Sequence, residues 1–329
     1  MWRASYVRDA GTLPPPRHKK DPDVQTTLNT ATTLTGSGLH SGRPARITLL
    51  PAAANNGITF RRSDISEGDN LLPARWDATV HVPLCTMLVN ADGVTVSTIE
   101  HVMAALSGLG VHNAVIEVSG PEVPILDGSS APFVAAILKT GLRRLNAPLT
   151  VLRVCETVEL VDGDARARLE PAEGLEIDFE IDFTDAVIGR QHRSLNMANG
   201  AFVRELCDSR TFCRLSDVEK MRANGLALGG TMDNAVVVDG AEVVTPGGLR
   251  HSDEPVRHKM LDALGDLALA GAPILGRYVG NRAGHTVTNK LLRKLFATPG
   301  ALERVACSSE TARKLPGVGV SIADLRAVA

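Results

Sequence analysis

Three residues at a helical repeat pose the chemical question. In HKMLDALGDLALAG (258–271), His258, Asp262 and Asp266 recur every four residues, and at about 100° per residue they fall within an arc of about 80°. Met260, Leu261, Leu264 and Leu267 occupy much of the remaining circumference. The helix therefore reads as buried on most of its surface while carrying an imidazole and two carboxylates in one stripe. Buried ionisable groups are costly unless they are paired or hold a metal. A His and an Asp one turn apart can chelate a single ion, with nitrogen and oxygen donors that suit zinc. The same pair serves equally as a buried hydrogen bond or a solvated face, and H-x-x-x-D alone does not separate these readings.

A catalytic zinc needs a third protein ligand and an open position for water. STIEHVMAALSGL (97–109) offers His101. Ala104, Ala105 and Gly108 lie within about 60° of its direction on a helix, so small side chains border it and leave space for an ion and a substrate. Glu100, beside it, can reach a water at its neighbour's metal. Against this, Ser97-Thr98-Ile99-Glu100 has the form of a capping box, and His101 then becomes an ordinary residue of a first helical turn. RAGHTVTNKLLRKL (282–295) places His285 after a glycine at the start of a basic helix, where it is either a general acid or a surface residue. His81, His112, His192 and His251 have no partner at ligand spacing, and His18 lies in a basic, proline-rich N-terminal stretch.

These segments must be positioned by a framework, and the chain repeats one. ARITLLPAAANNGITFRR (45–62) reads as two strands around a turn, and RWDATVHVP with CTMLVNADGVTVS (75–97) as further strands. IEHVMAALSGLG (99–110) is a helix closed by glycine, NAVIEVSG (113–120) a strand, and PFVAAILKTGL (132–142) a second helix. ARARLEPAEGLEIDFEID (165–182) repeats the opening: Ala165, Leu169, Pro171 and Ala172 follow Ala45, Leu49, Pro51 and Ala52 by 120 positions. With a one-residue gap, Ile177 and Phe179 match Ile58 and Phe60, and 258–271 echoes HVMAALSGLG (101–110). The expectation is an α+β fold of two similar layered halves from an internal duplication, each with strands, two helices and an insert, the helices packed between the sheets. The boundaries expected are a disordered tail over 1–24, a first domain over 25–147, and a second over 148–329 with a strand-rich insert at about 225–255.

Composition excludes several classes. With 329 residues, 44% apolar and 22% charged, the chain can bury an ordinary globular core. A net charge of −2 (35 basic against 37 acidic residues) argues against nucleic acid as a partner. No apolar run reaches the ~18 residues of a membrane span. The five cysteines, an odd number without a C-x-x-C pair, fit a reducing cytosol rather than a disulfide framework. The first 23 residues lack the apolar core of a signal peptide. A monomer is the default, since no heptad or apolar edge points to a partner.

Taken together, GSGLHSG (36–42), PLCTMLVN (83–90), STIEHVMAALSGLGVHNAVIE (97–117), PEVPILDGSSAPF (121–133), SRTF (209–212), GLALGGTMDNAVVVD (225–239), VRHKMLDALGDL (256–267) and GHTVTNKLL (284–292) resemble the UDP-3-O-acyl-N-acetylglucosamine deacetylase family. These are zinc enzymes of lipid A biosynthesis, which serves the Gram-negative outer membrane. The resemblance runs from about residue 26 to about 315. It implies two α+β halves and one Zn²⁺ per chain held by His101, His258 and Asp262. It further implies Glu100 as base, His285 as a second catalytic residue supported by Asp266, and Thr211 with its hydroxyl towards the oxyanion. Lys259 and Phe212 match contacts to the sugar nucleotide, Asp182 and Phe183 a pair near the uracil, and Gly230, Thr231, Ala235 and Val237 the walls of an acyl passage. Thr184-Asp185 stand where some relatives have His-Pro, a departure at the uracil end. The activity implied is hydrolysis of the 2-acetamido group of an acylated UDP-amino-sugar, in the cytoplasm and with at most transient membrane contact. Two alternatives stay open: a zinc amidohydrolase for another acetylated substrate, and a non-catalytic sugar-nucleotide-binding relative.

Overall fold

The computed structural model describes residues 23–325. The expected tail lies outside the described residues, apart from Asp23 and Val24. Val24 opens the strand Val24–Leu28, which runs antiparallel to Leu142–Pro148.

The architecture is α+β and carries the same sheet twice. In the first sheet the spatial order is Thr32–Ser37, Pro44–Pro51, Ala114–Val118, Ile58–Arg62, Leu71–Pro73. In the second, Val158–Asp162, Ala165–Glu170, Ile274–Asn281, Leu175–Asp182 and Arg190–Asn196 follow the same order. Each consists of two hairpins with a later strand inserted between them, antiparallel to one neighbour and parallel to the other. Thr150–Val154 and Leu302–Ala306 widen the second sheet to seven strands. The repeat also explains the sequence match. Ile47 and Ala167, 120 positions apart, hold corresponding places opposite Val118 and Gly280. The second matched strand is corrected by register: Phe60 pairs with Ile116 as Ile177, not Phe179, pairs with Tyr278. A slip of two residues keeps the same side chains on the same face, because strand side chains alternate.

Alternation is what buries one face of each sheet. In LEIDFEID (175–182), Leu175, Ile177, Phe179 and Ile181 are buried while the acidic residues between them are not. Each such side chain contributes roughly 1.5–3 kcal/mol relative to exposure. Between the sheets lie four helices. Ala131–Thr140 packs on Thr32–Ser37, and His285–Ala297 on Val158–Asp162 and Ala165–Glu170. Glu100–Gly108 packs on Glu254–Leu267, which in turn packs on Leu175–Asp182. One continuous buried core joins both sheets and these helices. The two central helices approach closely at Gly265, where an added Cβ would overlap the carbonyl oxygen of Glu100.

Each half has an insert beside these helices. In the first, the strand-like stretch 75–97 is a small sheet of Thr79–Val80, Met87–Val89 and Thr95–Ser97, interrupted by a loop and a short 3₁₀ turn. In the second, a lobe of Phe212–Arg214, Val236–Asp239 and Glu242–Val243 also contains the helix Leu215–Ala223. The lobe thus begins earlier than the 225–255 read from sequence, and that stretch supplies only two short strands. The lobe is pinned to the first half, where Leu228 and Gly229 N–H donate to His40 O and Leu39 O. A Cβ at Gly229 would strike Gly38 O, so this contact requires glycine.

Candidate active site

The two central helices bring the predicted ligands together. Ligand atoms of His101, His258 and Asp262 all lie within 4.8 Å of one another. Asp262 Oδ1 is 3.4 Å from His258 Nε2 and 3.7 Å from His101 Nε2, and the rings stand edge-to-face with centroids 5.1 Å apart. His258, Asp262 and Asp266 are 3%, 4% and 1% exposed, so the stripe is buried rather than a solvated face.

The protonation states follow from the surroundings. Burial, with neighbouring His258 adding to it, holds His101 down at about 3. Burial likewise lowers His258. Its Nδ1–H donates to Ser209 O at 3.0 Å, which leaves the Nε2 lone pair facing Asp262. Burial opposes the charge on Asp262, but His258, Lys259, His285 and His101 outweigh it and hold the carboxylate below its ordinary range. Lys259 Nζ occupies Oδ2 at 2.6 Å, and Oδ1 is buried with no hydrogen-bond partner. Two lone pairs and an orphaned carboxylate oxygen directed at one point repel each other unless a cation sits between them. Neutral imidazoles with an ionised carboxylate are the donor set that a divalent metal requires.

Glu100 and His285 flank this point. Glu100 opens the helix Glu100–Gly108, but the capping box does not form. Ser97 Oγ donates to Pro121 O, and the helix N-cap is Ile99 without a side-chain cap. Glu100 Oε2 instead accepts from Thr86 N at 3.1 Å, and Oε1 faces His285 Nε2 at 3.8 Å. Burial raises the Glu100 pKa; His285 opposes and Asp262 and Asp266 reinforce the rise, leaving it at about 7. His285 is the first residue of the helix His285–Ala297, and its Nδ1 meets Asp266 Oδ2 at 2.9 Å. Burial disfavours its charge, yet Asp266, Glu100 and Asp262 overcome this and raise it to about 9. One side chain is thus poised to take a proton near neutrality and another to hold one.

A cleft of about 1130 Å³ opens over these groups. Its walls include Thr211, Phe212, Phe183, Lys259, Gly230, Thr231, Ala235 and Val237, together with Leu215, Val218, Met221 and Leu226 of the lobe. Thr211 is fixed through its backbone to Gly128 O and Val236 N, at 2.8 Å each. The Phe183 and Phe212 rings pack edge-to-face at 5.4 Å, and Phe212 stands 6.3 Å from His258. Asp182 is not among the lining residues. It is exposed and paired with Arg282, which does line the cleft. Asp185, at the departure from the relatives' His-Pro, ties its turn to the lobe through Arg214 (3.6 Å) and Gly240 N (3.3 Å).

The backbone around the cleft is strained. Leu84, Thr98, Ala227 and Arg282 line it and have φ of 70°, 58°, 54° and 50°, each at a cost of about 1–3 kcal/mol. Thr98, β-branched, turns the chain into the helix that starts at Glu100. The small residues after His101 do a different job from the one expected. Ala104 and Ala105 are fully buried, and Gly108 makes room for the Phe202 ring rather than for a substrate. Three residues escaped the sequence reading: Ser209, whose carbonyl orients His258; Thr86; and His40, whose Nε2 is buried without a partner at the cleft wall. Each lies in a segment carrying the family resemblance, but no spacing rule links it to the site. His192 and His251 do have carboxylate partners, Asp178 at 3.0 Å and Asp208 at 2.9 Å, brought close by folding.

A two-sheet fold with a His₂Asp site beside a buried glutamate defines a metallohydrolase-like class. Comparison with known proteins is specific: residues 25–297 match the family described as LpxC, UDP-3-O-acyl N-acetylglycosamine deacetylase, and the chain belongs to that family. A UDP-3-O-acyl-N-acetylglucosamine deacetylase of Phenylobacterium zucineum (strain HLK1) is 50% identical over 277 residues, 84% of this chain and 94% of the relative. Proteins of the same name from Anaeromyxobacter sp. (strain Fw109-5) and Shewanella violacea are 46% and 45% identical. These matches cover 87% and 85% of this chain, and 93% and 92% of the relatives.

Proposed function

We propose that the chain hydrolyses the 2-acetamido group of a UDP-3-O-acyl-N-acetylglucosamine, releasing acetate and the free amine for lipid A biosynthesis. The observation that carries this reading is the convergence of an unpartnered Asp262 oxygen and two neutral imidazoles on one point, with Glu100 and His285 beside it. His101, His258 and Asp262 would hold one Zn²⁺, which when bound supplies Lewis acidity to the amide carbonyl and to water. Glu100 takes the proton of the attacking water. His285, kept protonated by Asp266, gives a proton to the departing amine, which leaves poorly otherwise. The Thr211 hydroxyl is offered to the oxyanion. Lys259 and Phe212 receive the sugar nucleotide, with Phe183 towards the uracil and Arg282, the partner of Asp182, at the same wall. The apolar lobe around Ala235 and Val237 takes the acyl chain.

The free cysteines fit action in the cytoplasm, where we place the protein as a monomer touching the membrane transiently through its lipid substrate. No helix among the described residues is long and apolar enough to cross a membrane. Elemental analysis together with acetate release from acylated and unacylated UDP-GlcNAc tests the reading. One equivalent of zinc and turnover of the acylated sugar are expected; absence of turnover, or equal turnover of both sugars, rejects it.

A further inference from the structure

We propose that Thr86 is a positioning residue that holds both arms of the proton-transfer machinery at once. It rests on the roles proposed above for Glu100, Asp266 and His285. Thr86 precedes the strand Met87–Val89 of the first-half insert and is 1% exposed. It is not among the cleft-lining residues, so any effect it has passes through its neighbours.

Its backbone N–H donates to Glu100 Oε2 at 3.1 Å, which fixes that carboxylate with Oε1 turned towards His285. Its hydroxyl donates to Asp266 Oδ1 at 2.6 Å, while Oδ2 of the same carboxylate meets His285 Nδ1 at 2.9 Å. The direction of the hydroxyl is set from the other side. Asn289 Nδ2 donates to Thr86 Oγ1 at 3.3 Å, so the oxygen receives there and its own proton is committed to Asp266. Asn289 lies one turn beyond His285 on the same helix, so one hydroxyl joins the first-half insert, the central helix and the helix carrying His285. Without it, the buried Asp266 carboxylate would keep one oxygen unpaired and be free to rotate away from the imidazole. The left-handed Leu84, two residues earlier, turns the chain into this place.

The test separates the hydroxyl from the bulk of the side chain. Thr86→Val keeps the shape and the backbone N–H; Thr86→Ser keeps the hydroxyl. In the zinc-loaded protein, T86V is expected to lower kcat by roughly 10–100-fold with KM and zinc content unchanged, and T86S to return it to within about threefold of the parent. A second readout is independent of turnover. The proton on His285 Nδ1, bonded to a buried carboxylate, gives a downfield NMR resonance that H285A identifies by its loss. It is expected to vanish in T86V and to reappear in T86S. Full kcat or an intact resonance in T86V overturns the proposal. So does equal impairment of T86V and T86S, or loss of zinc together with activity, since each marks a merely structural residue. If T86V does not fold, Thr86→Ala removes the hydroxyl without placing a methyl against Asp266 and is judged by the same outcomes. Failure of the parent protein to release acetate refutes the deacetylase reading, and the resonance still decides the role of Thr86.

Discussion

The two central helices descend from the same position in a repeated fold, yet they carry different chemistry. Superposing 101–110 on 258–267 by their shared pattern sets His101 on His258, Met103 on Met260 and Gly108 on Gly265. The carboxylates are not shared: Asp262 falls opposite Ala105, Asp266 opposite Leu109, and Glu100 opposite Arg257. Arg257 turns away from the site to Asp253 (2.5 Å) and Glu205 (3.0 Å). A duplicated frame therefore supplies two imidazoles facing each other across a pseudo-symmetric interface. The acids beside the pair are placed asymmetrically, on one helix end and along the other helix.

The largest effects should strike the shared element equally. Chelation of the metal is expected to abolish turnover and added zinc to restore it, whereas H101A and H258A should both lose metal and activity together. Tight stoichiometric zinc in either variant would break the symmetry of the histidine pair. The non-equivalent pair should diverge instead. E100A is expected to lower kcat by at least ~10² with zinc retained. R257A should spare kcat and cost roughly 1–3 kcal/mol of stability through its lost partners. A normal kcat in E100A would remove it as the base. His285 has no counterpart in this superposition, and its contribution should appear in pH dependence. In the role proposed it gives up a proton and so acts in the protonated form, and its carboxylate neighbours raise its pKa. Activity should therefore be present below that pKa and fall as pH rises through it. In H285A that alkaline fall should disappear, and a profile unchanged in shape would clear it of a proton role.

How much of this was legible in the letters depended on whether a signal was periodic. The His258, Asp262 and Asp266 stripe was readable because a buried helix exposes its exceptions at a fixed repeat. The repeated sheets were readable from alternation, but the two-residue slip between Phe60 and Ile177 was hidden, since a shift of two leaves every face unchanged. Glu100 was ambiguous because the capping-box pattern is local, while the left-handed Thr98 that prevents it is a backbone property. Ser209 and Thr86 act across 49 and 180 residues of chain through a carbonyl and a hydroxyl. No spacing rule records such contacts. Asp182 was placed by resemblance alone, and its side chain turns to Arg282 outside the cleft lining.

The smallest predicted effect sharpens the comparison most directly, because it uses the one glycine that both helices retain. At Gly108 a new Cβ would meet the ring of Phe202, a buried side chain away from the cleft; at Gly265 it would meet the Glu100 backbone. Overpacking at either place costs about 1–3 kcal/mol, so stability alone should not distinguish G108A from G265A. Catalysis should. The strain in G265A is relieved by moving the first turn that carries Glu100 and His101, and displacements well under 1 Å at a base cost roughly tenfold in kcat. G108A relieves its strain by shifting Phe202 and should keep kcat near that of the parent protein. Thermal melts and kcat measured on both variants give the comparison. Equal kcat at equal destabilisation would mean that the close approach at Gly265 serves packing alone, and that Glu100 is aimed by its own hydrogen bonds without help from the partner helix.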